Sequence, residues 1–196
     1  MVLAGGANRR FGGAPKGLKD VGGKRIVDRV ADALRWATPN LTLVSNSPDA
    51  VHWLPGVAVL RDRYPDSGGL AGVDVALATG NDALVVAWDM PFVTPDLLQL
   101  ILATARNEDA DVVVPESGSP HGFEPFCAFY SARVATALEQ FLLTNAAPSD
   151  FVASLPRVAR VSLEALAKVG DPARLFMSVN SADDLMRARA LVEAAQ

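Results

Sequence analysis

Cysteine is nearly absent from this chain of 196 residues, which contains one cysteine, Cys127, and two histidines. A single cysteine cannot form an internal disulfide, and so few thiols and imidazoles offer no zinc-binding cluster. The sequence also lacks any run of 18 apolar residues, so we expect no membrane-spanning helix. No basic segment followed by an apolar stretch opens the chain, as a secretion signal would require. These absences favour a protein of the reducing cytoplasm.

Positive charge is scarce over the whole chain but concentrated in its first part. The formal net charge is −4 at pH 7, which argues against non-specific binding of nucleic acid. Residues 1–35 hold eight lysines and arginines against three acidic residues, so this segment carries +5 and the remainder carries −9. An acidic protein with one local excess of positive charge is suited to bind a small anion there.

A glycine-rich stretch coincides with that positive charge. Residues 3–16 read L-A-G-G-A-N-R-R-F-G-G-A-P-K, with Arg10 and Lys16 among four glycines. Glycine allows a backbone to approach a ligand closely, so that successive N–H groups can converge on an anion. The stretch is not a P-loop, because no Ser or Thr follows Lys16, and the adjacent Gly5 and Gly6 do not fit the dinucleotide fingerprint. We predict that it binds the phosphates of a nucleotide.

Short apolar runs alternate with helical patterns along most of the chain. The apolar runs that we predict as strands cover residues 1–4, 41–46, 57–62, 83–89, 111–115, 123–130, 157–163 and 176–180. Strands that alternate with helices of ten or more residues are typical of a mostly parallel sheet. The expected fold is α/β: a single Rossmann-like, three-layer domain over residues 1–196, with helices on both faces of a mostly parallel central sheet.

Polar residues follow several of these predicted strands. In an open α/β sheet, ligands bind outside the carboxyl ends of the strands, where we expect Asn46, Asp62, Asp89 and Asn180 beside the glycine-rich loop. Asn46 or Asn180 alone would be explained better as a cap or turn residue, and it is their combination beside the loop that favours a nucleotide site. Asp89 ends a fully apolar strand, and Mg²⁺ in proteins is held by one or two carboxylates with phosphate oxygens. We therefore predict Asp89 as a Mg²⁺ ligand, with Asn180 as a second oxygen ligand.

The motifs resemble those of a known enzyme family. Leu3-Ala4-Gly5-Gly6, Arg10 and Gly12 resemble the L-A-G-G-x-x-x-R-x-G signature of nucleotidyltransferases, and Lys16 resembles the lysine that follows it. The segments D-M-P-F at 89–92, S-G-G-L-A-G at 67–72 and V-N-S at 179–181 are similar to those of molybdenum cofactor guanylyltransferases of the MobA type, in the same order and spacing. The resemblance runs from the first strand to the last helix and implies a GT-A-like nucleotidyltransferase fold.

The resemblance also implies roles for individual residues. The residues expected to contact the nucleotide are Leu3, Ala4, Gly5, Gly6, Lys16, Asn46, Asp62, Gly69 and Asp89. Arg10, Lys16 and Asp89 would act in catalysis, with Mg²⁺ on Asp89. His121 to Pro125 occupies the place of the family's pterin-side surface, although an exposed turn explains this segment as well. Trp88 departs from the family, in which a small residue, often cysteine, is common at this position.

The implied reaction transfers GMP from GTP to molybdenum-molybdopterin and releases pyrophosphate. The implied partners are these two substrates and proteins that deliver molybdopterin or accept the product, without nucleic acid or membrane. Other activities stay open: a cytidylyltransferase for the same cofactor, a transferase that builds a nucleotide sugar, or a regulatory protein that binds nucleotide without turnover. The choice of base depends on the shape of the pocket, which the sequence resolves poorly.

Overall fold

The computed structural model describes residues 1–5, 15–64, 67–144 and 147–194. The strands are β1 (Val2–Leu3), β2 (Thr42–Val44), β3 (Ala58–Leu60), β4 (Ala83–Ala87), β5 (Val112–Pro115), β6 (Cys127–Tyr130) and β7 (Val158–Val161). The α-helices are α1 (Ile26–Ala37), α2 (Gly69–Leu77), α3 (Pro95–Glu108), α4 (Ala135–Leu142), α5 (Pro148–Ser154), α6 (Leu163–Leu166), α7 (Pro172–Leu175) and α8 (Ala182–Glu193). Short 3-10 helices cover Lys16–Leu18, Pro48–His52 and Ala132–Val134.

All of these strands belong to one sheet of order β3-β2-β1-β4-β6-β5-β7. The neighbours β3 and β2, β2 and β1, β1 and β4, and β5 and β7 pair in parallel. Strand β6 is antiparallel to both β4 and β5. The mostly parallel α/β sheet that the sequence predicted is therefore confirmed, with β6 as the reversed strand.

Helices cover both faces of the sheet, because alternate residues of each strand point to opposite faces. On one face, Leu84 and Val86 of β4 pack in a core that also contains buried residues of α1, α3, α6, α7 and α8. On the other face, Ala83 and Val85 pack with residues of α2, α4 and α5. The result is the predicted arrangement of helices, sheet and helices. Within the described residues, no helix is long and apolar enough to cross a membrane.

Local sequence signals explain where the predicted helices begin. Thr94 accepts a hydrogen bond from the N–H of Leu97 and is followed by Pro95 at the first helical position of α3. Ser181 caps α8 in the same way by accepting from the N–H of Asp184. Such caps supply partners to N–H groups that the first turn of a helix leaves unpaired.

One predicted strand is wrong, and the others are shorter than predicted. Residues 176–180 form no strand: Phe176 ends α7, and the following residues cross the end of β4 with one backbone hydrogen bond, from Val179 N–H to the Asp89 carbonyl at 2.8 Å. Predicted strand 123–130 forms only from Cys127 onward, since Pro125 has no N–H to donate to a ladder. The short helices α6 and α7 were not predicted from the sequence, although Ser162 and Asp171 cap them.

Candidate active site

A cleft of about 770 Å³ opens at the carboxyl ends of the parallel strands β1 to β4. It is lined by eight of the residues that were predicted to contact the nucleotide: Leu3, Ala4, Gly5, Lys16, Asn46, Asp62, Gly69 and Asp89. They come from well-separated parts of the chain, and the parallel pairing of β1 with β2 and β4 brings their ends to one edge. Three further site residues were predicted: Gly6 and Arg10 lie outside the described residues, and Asn180 contacts Lys16.

Lys16, Asp89 and Asn180 form a cluster at one end of the cleft. The Lys16 Nζ donates to Asp89 Oδ2 at 2.5 Å and to Asn180 Oδ1 at 2.7 Å. The Asp89 residue is buried, and the Lys16 side chain is only 16% exposed. Ion pairs removed from solvent are screened less than surface pairs, so the negative charge of Asp89 and the positive charge of Lys16 interact strongly here.

Asn180 reaches this cluster on an irregular segment, whereas the sequence analysis placed it at the end of a strand. The Val179 N–H holds the segment against the end of β4. The next residues are fixed by Asp184, whose Oδ2 accepts from the Asn180 N–H at 3.1 Å and from the Ser181 hydroxyl at 2.8 Å. The cap of α8 therefore also positions Asn180.

Asn46 and Asp62 pair across the ends of β2 and β3 at the other side of the cleft. The Asp62 N–H donates to Asn46 Oδ1 at 2.9 Å, and Asn46 Nδ2 donates to Asp62 Oδ2 at 3.2 Å. The second carboxylate oxygen, Asp62 Oδ1, is buried and has no hydrogen-bond partner among the described residues. Burial raises the pKa of this carboxyl group, against the opposing effect of the Asn46 hydrogen bond. A buried acceptor without a partner is costly, so it is suited to a donor on a ligand.

Glycine is required at two positions of the cleft wall where α2 begins. A Cβ atom on Gly69 would lie 2.5 Å from the ring of Phe126. A Cβ atom on Gly72 would lie 3.0 Å from Leu3 and 3.8 Å from Asp62 Oδ1. The wall of the cleft is thus packed against Phe126, which the sequence analysis did not identify. The sequence signal for a tightly packed wall was the repeated glycine of residues 68–72. The short distances from Gly69 to Phe126 and from Gly72 to Leu3 explain those glycines.

A stacked pair of tryptophans lies behind the cluster of Lys16 and Asp89. Trp53 and Trp88 stack with ring centroids 4.9 Å apart, and both are almost fully buried. The Trp88 ring leaves no room for a side chain at position 17, because a Cβ atom on Gly17 would lie 2.3 Å from it. The large residue at position 88 is therefore accommodated by a glycine and a second aromatic ring.

The segment 121–125 lies between β5 and β6, near the same edge. The Glu124 N–H donates to the Pro115 carbonyl at 3.0 Å, which fixes the backbone of this half-buried residue. Burial raises the pKa of the Glu124 carboxyl, and the negative charge of Asp89 raises it further. This interaction places Glu124 near Asp89, while His121 is exposed in a turn.

The residues around Lys16 fit a hard divalent cation. The Asp89 carboxylate and the Asn180 amide oxygen converge on one cationic atom, and both are oxygen ligands of the kind that Mg²⁺ prefers. Across the described ranges, no group of three or more His, Cys, Asp or Glu side chains could hold a metal by itself. Ligand phosphates and water would have to complete the coordination of a metal here.

Comparisons with known proteins agree with this geometry. A family model described as the MobA-like NTP transferase domain matches residues 1–161. A molybdenum cofactor guanylyltransferase of Desulfosudis oleivorans is 30% identical over 99% of this chain and 95% of its own length. The crystal structure of molybdopterin-guanine dinucleotide biosynthesis protein A from Archaeoglobus fulgidus superposes with a TM-score of 0.83, at 26% identity over 98% of this chain and 97% of that one. A Mycobacterium tuberculosis protein crystallised with manganese shares the fold, with a TM-score of 0.66 at 20% identity over 96% and 95% of the two chains.

Proposed function

The chain belongs to the MobA-like NTP transferase family, and we propose that it transfers GMP from GTP to molybdenum-molybdopterin and releases pyrophosphate. Its relative in Desulfosudis oleivorans is named for this activity. The observation that carries the proposal is a single cleft with two different ends. One end joins Lys16, Asp89 and Asn180, and the other presents the paired Asn46 and Asp62.

The triphosphate would lie at the end that contains Lys16. The Lys16 ammonium is a point charge suited to phosphate oxygens. Gly5 lines the cleft, and a Cβ atom built on it meets no atom of the described residues within 4 Å apart from its chain neighbours, which leaves room for a ligand beside its backbone. We propose that Arg10 and Gly6 complete the phosphate contacts from the adjoining loop, as the family signature implies.

The base would lie against Asp62. The 2-amino group and N1–H of guanine form a pair of adjacent donors that a carboxylate can accept together. The Watson–Crick edge of cytosine offers one donor, its amino group, beside two acceptors that a carboxylate would repel. Among the described residues, Asp62 Oδ1 has no partner and Oδ2 accepts one hydrogen bond, so the carboxylate as a whole can accept both donors of guanine and favours it over cytosine. Asn46 holds the Asp62 side chain in place through Oδ2 and leaves Oδ1 for the ligand.

We propose Mg²⁺ as the metal, with Asp89 and Asn180 as its protein ligands. When bound, Mg²⁺ would neutralise phosphate charge and polarise the α-phosphate. The contribution of the chain itself is positional and electrostatic. Lys16 would hold the phosphates that become pyrophosphate, so that the bond between the α-phosphorus and its bridging oxygen can break as the new bond forms. The attacking group is the phosphate of molybdopterin, already an anion, so the reaction requires no general base.

The acceptor would approach from the side of β5 and β6, opposite to the loop that holds the leaving pyrophosphate. The segment 121–125 lies on that side, and the negative charge of Asp89 contributes to the raised pKa of Glu124. We propose that residues 1–196 work as one nucleotidyltransferase domain in the cytoplasm, and that proteins delivering molybdopterin or accepting the product dock on this side.

Pyrophosphate release with Mg²⁺, molybdopterin and each nucleoside triphosphate in turn tests the proposal. We expect turnover with GTP and little with CTP. Asp89→Asn should retain the fold but lose turnover by about a hundredfold or more, since it removes the charge that holds the metal. Asp96→Asn, at an exposed aspartate in the first turn of α3, is the matched control. Turnover with CTP alone would favour a cytidylyltransferase, and binding of nucleotide without any turnover would favour a regulatory protein.

A further inference from the structure

The Lys16 ammonium contacts both oxygens that we propose as metal ligands. Its Nζ lies 2.5 Å from Asp89 Oδ2 and 2.7 Å from Asn180 Oδ1, so the two oxygens converge on one point. A compact, strongly hydrated ammonium and a divalent cation both seek such a point for the same electrostatic reason. They cannot occupy it together, because two cations in contact repel each other in a poorly screened site.

The backbone of Lys16 is held by local contacts, whereas its side chain is a flexible four-carbon stem. Lys16 begins a short 3-10 helix, closed by a hydrogen bond from the Lys19 N–H to the Lys16 carbonyl at 3.1 Å. The next residue, Gly17, packs directly against the Trp88 ring. A change of partner at Nζ therefore requires only rotations within the lysine side chain, and Lys16 lines the same cleft that would receive the triphosphate.

We infer that Lys16 competes with the divalent metal for Asp89 and Asn180, so that metal and nucleotide bind cooperatively. The triphosphate attracts the Lys16 ammonium and frees both oxygens for the metal that arrives with it. Without nucleotide, Lys16 keeps the metal affinity low. By linkage, the metal increases the affinity for nucleotide by the same factor. The inference rests on the proposed nucleotide site, but it concerns binding and does not depend on transfer to molybdopterin.

Titration with Mn²⁺ in the absence of nucleotide tests this competition directly. Free Mn²⁺ is measured by electron paramagnetic resonance, for the wild type and for Lys16→Met, with and without GTP. We expect Lys16→Met to bind Mn²⁺ without nucleotide about tenfold more tightly than the wild type. GTP, whose own binding of Mn²⁺ is subtracted with a protein-free titration, should increase the affinity of the wild type by a factor about tenfold larger than that of the variant. Lys16→Gln provides a second variant if Lys16→Met folds poorly.

A neighbouring lysine supplies the control for charge. Lys19→Met removes the same charge three residues away and should leave the affinity for Mn²⁺ close to that of the wild type. If Lys16→Met and Lys16→Gln bind Mn²⁺ no more tightly than the wild type does, the inference is overturned. It is also overturned if Lys19→Met increases the affinity for Mn²⁺ as much as they do. No step of the titration needs turnover, so a failed transfer assay with a positive titration would contradict the proposed reaction and not the competition.

Discussion

Gly17 and Trp88 connect the two charged groups of the cluster, since each is the chain neighbour of one of them. Gly17 follows Lys16 and Trp88 precedes Asp89, and the backbone of Gly17 lies directly on the Trp88 ring. The distance between the ammonium and the carboxylate thus depends on a packing contact that itself carries no charge. A displacement of about 1 Å at a reacting centre can cost two orders of magnitude in rate.

We expect Gly17→Ala to lower kcat by roughly ten- to a hundredfold, because its Cβ would lie 2.3 Å from Trp88 and must push the two segments apart. Steady-state kinetics with saturating GTP measures the loss. Combining Gly17→Ala with Trp88→Cys should restore part of the rate by removing the ring. Gly118→Ala is the control, since a Cβ there meets no atom of the structurally described, non-adjacent residues within 4 Å. Equal rates in wild type and Gly17→Ala would show that this contact does not position the cluster.

Asp62 is the residue that we expect to select the guanine base. Asp62→Asn replaces one acceptor oxygen by a donor, so the KM for GTP should increase by about tenfold or more. The preference for GTP over ITP, which lacks the 2-amino group, should fall in the variant. Asp49→Asn, an exposed carboxylate on the same cleft, is the control. An unchanged ratio of kcat/KM between GTP and ITP would place the base elsewhere.

Individual site residues could be predicted to different extents. Asn46, Asp62 and Asp89 were identified because a polar residue after a buried strand is visible in the sequence, and the structure places all three at one cleft. Their roles in binding remain predictions. The contact of Gly17 with Trp88 joins residues far apart in the chain, so no local pattern indicates it.

At the scale of elements, an ion pair ties the loop after β3 to α2. Arg63 donates two hydrogen bonds of 2.9 Å to Asp74, a carboxylate that is only 2% exposed on α2. Tyr64 extends the contact by donating to Glu139 of α4 at 2.9 Å. These bonds hold the chain that follows directly after Asp62. Burial raises the pKa of Asp74, and the Arg63 hydrogen bonds oppose that rise.

We expect Arg63→Gln to lower the free energy of unfolding by about 1–3 kcal/mol at neutral pH, because Asp74 loses its partner. The pKa of Asp74 should then rise further above its ordinary value of 3.8. A carboxyl whose pKa is raised in the folded state destabilises the fold increasingly as the pH rises from the unfolded-state pKa to the folded-state pKa, so the loss in the variant should shrink toward acid. Urea unfolding at about pH 5 and about pH 8 measures this.

Arg61→Gln provides the control for this prediction, because Arg61 is an exposed arginine in the same segment. A loss in Arg63→Gln that is the same at both pH values would contradict the assigned role of Asp74.

Most elements could be predicted from hydrophobic patterns, and the failures have local causes. The long amphipathic α1 and α3 and the apolar β4 carry strong periodic signals. The apolar residues of 176–180 resembled a strand, but they are apolar because they cover the end of β4 and the adjoining core, as buried Val179 shows. Helices α6 and α7 span four residues each, too few for a periodic pattern.

At the scale of the whole molecule, the two edges of the sheet differ in character. The edge with the carboxyl ends holds the cleft, its cluster of Lys16 and Asp89, and the unpartnered oxygen of Asp62. At the opposite edge, Arg133 and Arg157 both pair with Asp109 and Asp111, and hydrogen bonds from these arginines lower the pKa of both carboxyl groups. The arginines and aspartates at the opposite edge neutralise each other, whereas at the cleft the Asp62 Oδ1 atom remains as an acceptor for a ligand.

The fate of the α-phosphate of GTP distinguishes guanylyl transfer to the pterin from every alternative reaction. The protein is incubated with Mg²⁺, molybdenum-molybdopterin and GTP labelled at the α-phosphorus, and the products are separated and identified by mass. The account predicts that the label joins the pterin as a guanine dinucleotide, with one pyrophosphate released per labelled product, and that Asp89→Asn abolishes this. Label that stays on GTP with wild-type protein, or that joins the pterin only when supplied in CTP, would contradict it.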